Sequence, residues 1–195
     1  MRINVSQFHQ INVTDTCAVW NVLSSRVLYS TACSAGCIFC ITQFVQYECL
    51  HKPRKPSVHG PILQQRLQQE QLKGRFQACT LTVEDLQDVS ILESRKKLSK
   101  GELSSIAFAK KIRQAFLTDD QKARKLAESL LDQLVQTTPH LLGWLFFSGR
   151  LSDGDKKTIL DEHMRLAGTL SPHFEVIYRE SLRCQLLQRN VAATN

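Results

Sequence analysis

The sequence predicts a doubly wound α/β fold, in which a short parallel sheet carries helices on its faces. Three observations point there. Brief β-prone runs alternate with stretches whose apolar residues recur at helical spacing. Residues 37–41 form a continuous apolar run, the pattern of a strand covered on both faces. Acidic residues stand where predicted strands give way to helices: Asp15, Glu48, Glu102, and the adjacent Asp119 and Asp120.

The elements follow in order. Residues 10–14 (Gln-Ile-Asn-Val-Thr) are β-prone and end at Asp15, after which residues 16–23 place apolar side chains at helical spacing, so strand one hands over to helix one at Asp15. Gly36 punctuates the next segment. The apolar run 37–41 is strand two, and Thr42 then opens a helix carrying Phe44, Val45 and Glu48, which sets Glu48 in the first turns after that strand. Pro53, Pro56 and Pro61, followed by the glutamine-rich stretch 64–69, read as a loop leading into a polar helix. Residues 77–81 resemble strand three, and Thr82-Val83-Glu84-Asp85 opens a helix with a pattern close to a capping box.

Ser99-Lys100-Gly101-Glu102 matches the capping box fully and places Glu102 in a first helical turn. Residues 115–118 are a short strand delivering Asp119 and Asp120, and the helix after them gathers Ala123, Leu126, Ala127, Leu130 and Leu131 on one face. Residues 134–136 form an edge-like fifth strand, residues 139–147 an apolar helix, and Ser152 starts a helix through Ile159, His163 and Leu166. Ser171 as N-cap, followed by Pro172, begins a last amphipathic helix marked by Phe174, Ile177, Tyr178 and Leu182.

Composition narrows the function classes. With 195 residues, 43% of them hydrophobic, the chain fits one domain with a sizeable core. A surplus of Lys and Arg, 25 against 18 acids, favours a polyanionic partner. The surplus concentrates between residues 51 and 75, where Lys52, Arg54, Lys55, Arg66, Lys73 and Arg75 face a single acid, Glu70. That stretch reads either as a solvated face or as a surface touching substrate. Seven cysteines without framework spacing, and no signal sequence after Met1, point to a reducing, cytoplasmic setting. No apolar run approaches the roughly 20 residues of a membrane span.

Right-handed crossovers place every strand-to-helix junction at one sheet edge, so Asp15, Glu48, Glu102 and Asp120 can approach one another. Carboxylates at close range repel, and a hard divalent cation, Mg²⁺ or Mn²⁺, resolves the conflict. Each acid also has a plain structural reading: Glu102 as the third position of its capping box, Asp119 or Asp120 as a favourable charge at a helix N-terminus.

The motifs resemble the PIN-domain nucleases. The residues that carry the resemblance are Thr14-Asp15-Thr16, Val45 with Glu48, the run from Gly101-Glu102-Leu103 to Ala109, and Leu117-Thr118-Asp119-Asp120 through Arg124. Leu141-Leu142-Gly143-Trp144-Leu145, Arg150-Leu151 and Tyr178-Arg179-Glu180-Ser181-Leu182 are similar to the prokaryotic, toxin-like branch with a helical tail. The resemblance implies a three-layer α/β/α sandwich with a core over about 9–137 and a helical C-terminal extension over about 138–187.

It also implies an endoribonuclease using Mg²⁺ or Mn²⁺, with Asp15, Glu48, Glu102 and Asp120 as ligands and Asp119 in support. Glu102 stands where the family commonly has aspartate. Thr14, Thr16 and Thr118 would hold carboxylates or water by hydrogen bonds, and the basic residues of 52–75 would guide RNA or single-stranded DNA. The implied partners are an antitoxin protein and a second copy of the chain, in a toxin–antitoxin pair or as a defence nuclease. The competing reading is a silent PIN-like RNA-binding or regulatory module.

Two rival signals weaken on inspection. Cys33, Cys37 and Cys40 have a three-then-two spacing that resembles the cluster motif of radical S-adenosylmethionine enzymes, but in a strand Cys37 and Cys40 point to opposite faces. Six histidines and seven cysteines form no paired zinc-ligand clusters. Trp20 and Trp144 read as core residues, and His163 and His173 as surface or hydrogen-bonded ones.

Overall fold

The computed structural model describes residues 4–53, 58–95 and 97–193. Five short parallel strands, β1 (Ile11–Thr14), β2 (Ile38–Thr42), β3 (Ala78–Cys79), β4 (Ala115–Leu117) and β5 (Val135–Gln136), form one sheet in the order β3-β2-β1-β4-β5. β1 is central, pairing Val13 with Cys40 of β2 on one side and with Phe116 of β4 on the other. The chain moves outward from β1 to β3, then crosses back to β4 and on to β5. The topological switch therefore falls between β1 and β4, and a ligand crevice belongs at their carboxyl ends.

β1, β2 and β5 run directly into helix caps, at Asp15, Thr42 and Thr137. Asp15 caps α1 (Thr16–Ser24), Ser25 caps α2 (Arg26–Ser34) and Thr42 caps α3 (Gln43–Leu50), each with its side-chain oxygen accepting a backbone N–H. Such caps contribute about 1 kcal/mol apiece. The helix α4 (Gly60–Leu72) precedes β3. Then α5 (Val83–Arg95) and α6 (Lys100–Ile112) run back toward β4, and α7 (Gln121–Glu128), capped by Asp120, leads to β5. The tail is α8 (Thr138–Phe147), α9 (Asp153–Arg165) and α10 (Ser171–Ala193).

Alternation along the strands divides the core in two. Phe39 and Ile41 of β2 pack with α1, α2, α3 and α8 on one face, whereas Val13, Phe116 and Val135 pack with α5, α6 and α7 on the other. The result is a three-layer α/β/α sandwich with a helical tail. Cys37 belongs to the first cluster and Cys40 packs against the second, so the two thiols lie on opposite sides of the sheet, as a strand requires. Trp20 and Trp144 both pack against the first cluster.

Three elements differ from the expectation. The helix α2 was not anticipated: its apolar stripe of Leu28, Tyr29 and Ala32 is narrow, and only Ser25 separates it from α1. β3 is two residues long, because Thr80 and Leu81 leave the ladder before Thr82 caps α5, its N–H donating to Asp85 Oδ2 at 2.8 Å. Ser171 is the first helical residue rather than the cap, since Phe174 N–H donates to the carbonyl of Leu170 at 2.9 Å and the Ser171 hydroxyl is buried without a partner.

His163 ties α9 to the N-terminal helices. Its Nε2 accepts the N–H of Leu170 at 3.0 Å, which leaves the proton on Nδ1, 2.7 Å from Ser24 Oγ. The ring lies over Gly168, where a Cβ would come within 2.2 Å of it. Burial lowers the histidine from 6.5 to about 4. The unfolded chain therefore takes up this proton first, and stability is present above pH 6.5 and declines as pH falls toward 4. Measured against His163→Gln, the Tm advantage of the wild type should shrink as pH falls across that window, and Gly168→Ala should lower Tm at every pH by displacing the ring.

Candidate active site

The carboxyl edge of β1 and β4 carries the first part of the site. Asp15, at 0% exposure, follows β1 directly. Its Oδ1 accepts the N–H of Ala18 at 2.9 Å and the thiol of Cys17 at 3.0 Å, and its Oδ2 accepts the hydroxyl of Thr118. Thr118 in turn accepts the N–H of Asp120 at 3.1 Å. One threonine thus joins the acid after β1 to the acid after β4. Asp120 caps α7 through Oδ1 alone, which receives the N–H groups of Lys122 and Ala123 at 2.7 and 2.8 Å.

The second part lies where α3 meets α6. Glu48 is buried, with Oε2 accepting the Thr16 hydroxyl at 2.6 Å and Oε1 accepting the N–H of Gly101 at 3.2 Å. Gly101 is required by this approach: a Cβ there would stand 2.6 Å from Glu48 Oε2. Below it, Ser104 Oγ donates to the Gly101 carbonyl at 3.0 Å and lies 2.7 Å from Thr42 Oγ1, which fixes the start of α3 against α6. Glu102, the next residue, completes the capping box, its Oε2 accepting the Ser99 N–H at 2.7 Å.

Two chains of hydrogen bonds therefore run through neighbouring residues. Thr16 follows Asp15 and holds Glu48, Glu48 holds Gly101, and Glu102 follows Gly101; Asp15 holds Thr118, which holds Asp120. Capping and a further role are compatible for Glu102 and Asp120, because each cap uses one carboxylate oxygen and a carboxylate has two.

Charge in this pocket is poorly compensated. Burial raises Asp15 from 3.8 to about 7, eased by Cys17, Thr118 and Ala18 and reinforced by the nearby charge of Asp119. Burial likewise raises Glu102, with the charges of Asp120 and Glu48 adding to the effect. Burial raises the Cys17 thiol as well, so it stays a donor to Asp15. The Lys52 ammonium lies 3.9 Å from Glu48 Oε1 and is half exposed. Among the described residues no group of three acidic, histidine or cysteine side chains is drawn close enough to hold an ion as it stands. In donor type the set does fit a hard divalent cation: four carboxylates, with oxygens of Glu102 and Asp120 uncommitted to the caps.

The remaining expected residues divide. Asp119 accepts Asn21 Nδ2 at 2.8 Å, the Thr138 hydroxyl at 2.6 Å and the Thr138 N–H at 2.8 Å, so it fastens α7's approach to α1 and α8 while its charge still reaches Asp15. The Thr14 hydroxyl is buried and without a partner, and it holds no carboxylate. Arg66 points inward, giving Nη1 to the carbonyls of Leu23 and Ser24 at 2.6 and 2.8 Å at the end of α1. Lys73 and Arg75 both pair with Glu70, at 2.7 and 3.1 Å. Arg54 and Lys55 lie outside the described residues. Of the expected basic guide, Lys52 is placed beside the acids.

Cys17 and Asn21 were not foreseen. Both lie on α1, four residues apart and so on one helix face, at positions whose importance arises only when β4 is set beside β1; no spacing from Asp15 in the sequence raises them.

The chain matches a family described as DUF3368, a PIN domain, over residues 39–162. That is more than half its length, and the chain belongs to this PIN-domain family, whose fold is of the nuclease type. Glu48, Glu102, Asp119 and Asp120 fall within the matched stretch, and Asp15 is brought to them by β1. No curated protein and no solved structure matches the chain.

Because Asp15 is raised in the folded state, its contribution to the stability of the metal-free protein is lost as pH rises from about 4 to about 7. Asp15→Asn keeps the cap and removes the buried charge, so its metal-free Tm should exceed that of the wild type at pH 7.5 and equal it near pH 4. Gly101→Ala should lower Tm and also the thermal shift produced by Mn²⁺, since the new methyl takes the place of the Glu48 carboxylate; an unchanged shift would count against the geometry.

Proposed function

We propose that the protein is a metal-dependent endonuclease that hydrolyses phosphodiester bonds in RNA. The observation that carries this reading is the pair of hydrogen-bond chains linking Asp15, Glu48, Glu102 and Asp120 at the topological switch. Four acids drawn to one edge, two of them raised by burial, form a site that is unfavourable unless a cation enters it.

Asp15, Glu48, Glu102 and Asp120 would hold Mg²⁺ or Mn²⁺, which when bound supplies activation of water and neutralisation of charge on the phosphoryl group. Thr16 and Thr118 orient Glu48 and Asp15. Lys52, half exposed beside Glu48, draws a phosphate toward the acids and lessens the repulsion a polyanion meets there. On the resemblance stated above, the setting is the cytoplasm and the protein acts as the nuclease of a toxin–antitoxin pair.

Purified protein incubated with mixed RNA should cleave it in Mn²⁺ and not in chelator, and Asp15→Asn or Glu48→Gln should abolish the cleavage. Thr16→Val, which only frees Glu48 to rotate, should reduce the rate by about 10- to 100-fold. Cleavage that survives Glu48→Gln would dismiss this site. Expression of the wild type should arrest growth and Glu48→Gln should not.

A further inference from the structure

A second surface adjoins the acids. On α3, Phe44, Tyr47 and Glu48 follow helical spacing, so the two aromatic residues share the helix face that carries the Glu48 carboxylate. They line a cavity of about 520 Å³ that Glu48 itself borders at one side and Leu81 and Leu86 at another. Tyr47 is 52% exposed and Leu86 42% exposed, so apolar surface here faces open solvent. Two lysines stand on the rim: Lys52, one turn beyond Glu48, and Lys100, next to the glycine whose N–H the Glu48 carboxylate accepts.

We infer that this cavity takes one unstacked nucleobase of a single-stranded nucleic acid, stacked on Tyr47 and Phe44, with the adjoining phosphates on Lys52 and Lys100. The inference rests on the nuclease reading and deepens it by naming the side chains that hold a base beside the cleaved bond. Charge complementarity selects this occupant. An apolar, aromatic floor beside two ammonium groups suits a π-face attached to phosphates, and the cavity is bordered by Glu48, one of the four acids of the proposed site. A base in a duplex is paired and stacked and cannot enter, so the cavity discriminates by shape against double strands. Lys52 also lines a second cavity with Trp20, Asn21 and His59, so one ammonium serves both.

Binding is tested apart from cutting, in chelator, with a short fluorescein-labelled single-stranded RNA, the same strand annealed to its complement, and a set lacking one base at each position in turn. The single strand should bind more tightly than the duplex. Tyr47→Ala should weaken single-strand binding by about 5- to 150-fold, the range for loss of one base–aromatic stack, whereas Tyr47→Phe and Tyr47→Trp should keep it. Removal of one base should weaken the wild type and leave Tyr47→Ala unaffected. Lys100→Ala should reduce the salt dependence of binding by about one phosphate contact.

Equal affinity of wild type and Tyr47→Ala overturns the inference, as does a Tyr47 effect that is the same for intact and base-deleted strands, which would point to an apolar protein segment as the occupant. RNA cleavage in Mn²⁺ with no dependence on Tyr47 would overturn the cavity and leave the nuclease. Tyr47-dependent binding without any cleavage in Mn²⁺ would overturn the nuclease and leave the cavity.

Discussion

The contact on which the rest of this edge depends is that of the Glu48 carboxylate with the bare backbone of Gly101. Glu48 belongs to α3, in one helical layer, and Gly101 to α6, in the other, so the contact bridges the sheet at its carboxyl end. A buried carboxylate at a helix N-terminus is favoured by the aligned peptide dipoles, an effect worth up to about 2 kcal/mol when partly buried. Thr16 supplies the second hydrogen bond and so fixes α1 to the same point. Remove the approach, and the acids of β1, α3 and α6 have no common reference.

That contact also explains why the same residues serve as caps and as candidate ligands. A short parallel strand ends in a helix start, and a helix start attracts a carboxylate by geometry and by dipole. Asp15 and Asp120 fill that role for α1 and α7, and Glu102 for α6. The fold thus concentrates acids at one edge for structural reasons, and the crevice at the switch between β1 and β4 makes the concentration available for chemistry. Burial then sets its character: Asp15 and Glu102 are raised, the thiol of Cys17 remains a donor, and Lys52 stands beside Glu48.

Much of this was legible because β-prone runs and helical spacing change over at Asp15, Thr42 and Asp120, residues that the backbone treats as caps. The capping box at Ser99 fixed the start of α6 to the residue. The basic stretch was less legible, because charge along a sequence says nothing of direction: Arg66 turns in to the end of α1, and Glu70 engages both Lys73 and Arg75. Asp119 and Asp120 are adjacent yet face different neighbours, Thr138 and Asn21 for one and the start of α7 for the other, a division that only the placement of α8 creates. Cys17 and Asn21 became visible for the same reason, once β4 lay beside β1.

The double duty of Asp15 has an evolutionary corollary. Most replacements there would leave α1 without its first hydrogen bond as well as altering the site, so loss of chemistry would ordinarily bring loss of fold. Asparagine is the exception, since it caps a helix as well as aspartate does and its codons differ by a single base. A lineage that ceased to need cutting could therefore drift to a stable, non-cutting descendant in one step, with its nucleic-acid surface intact, and asparagine at this position would be the trace it left.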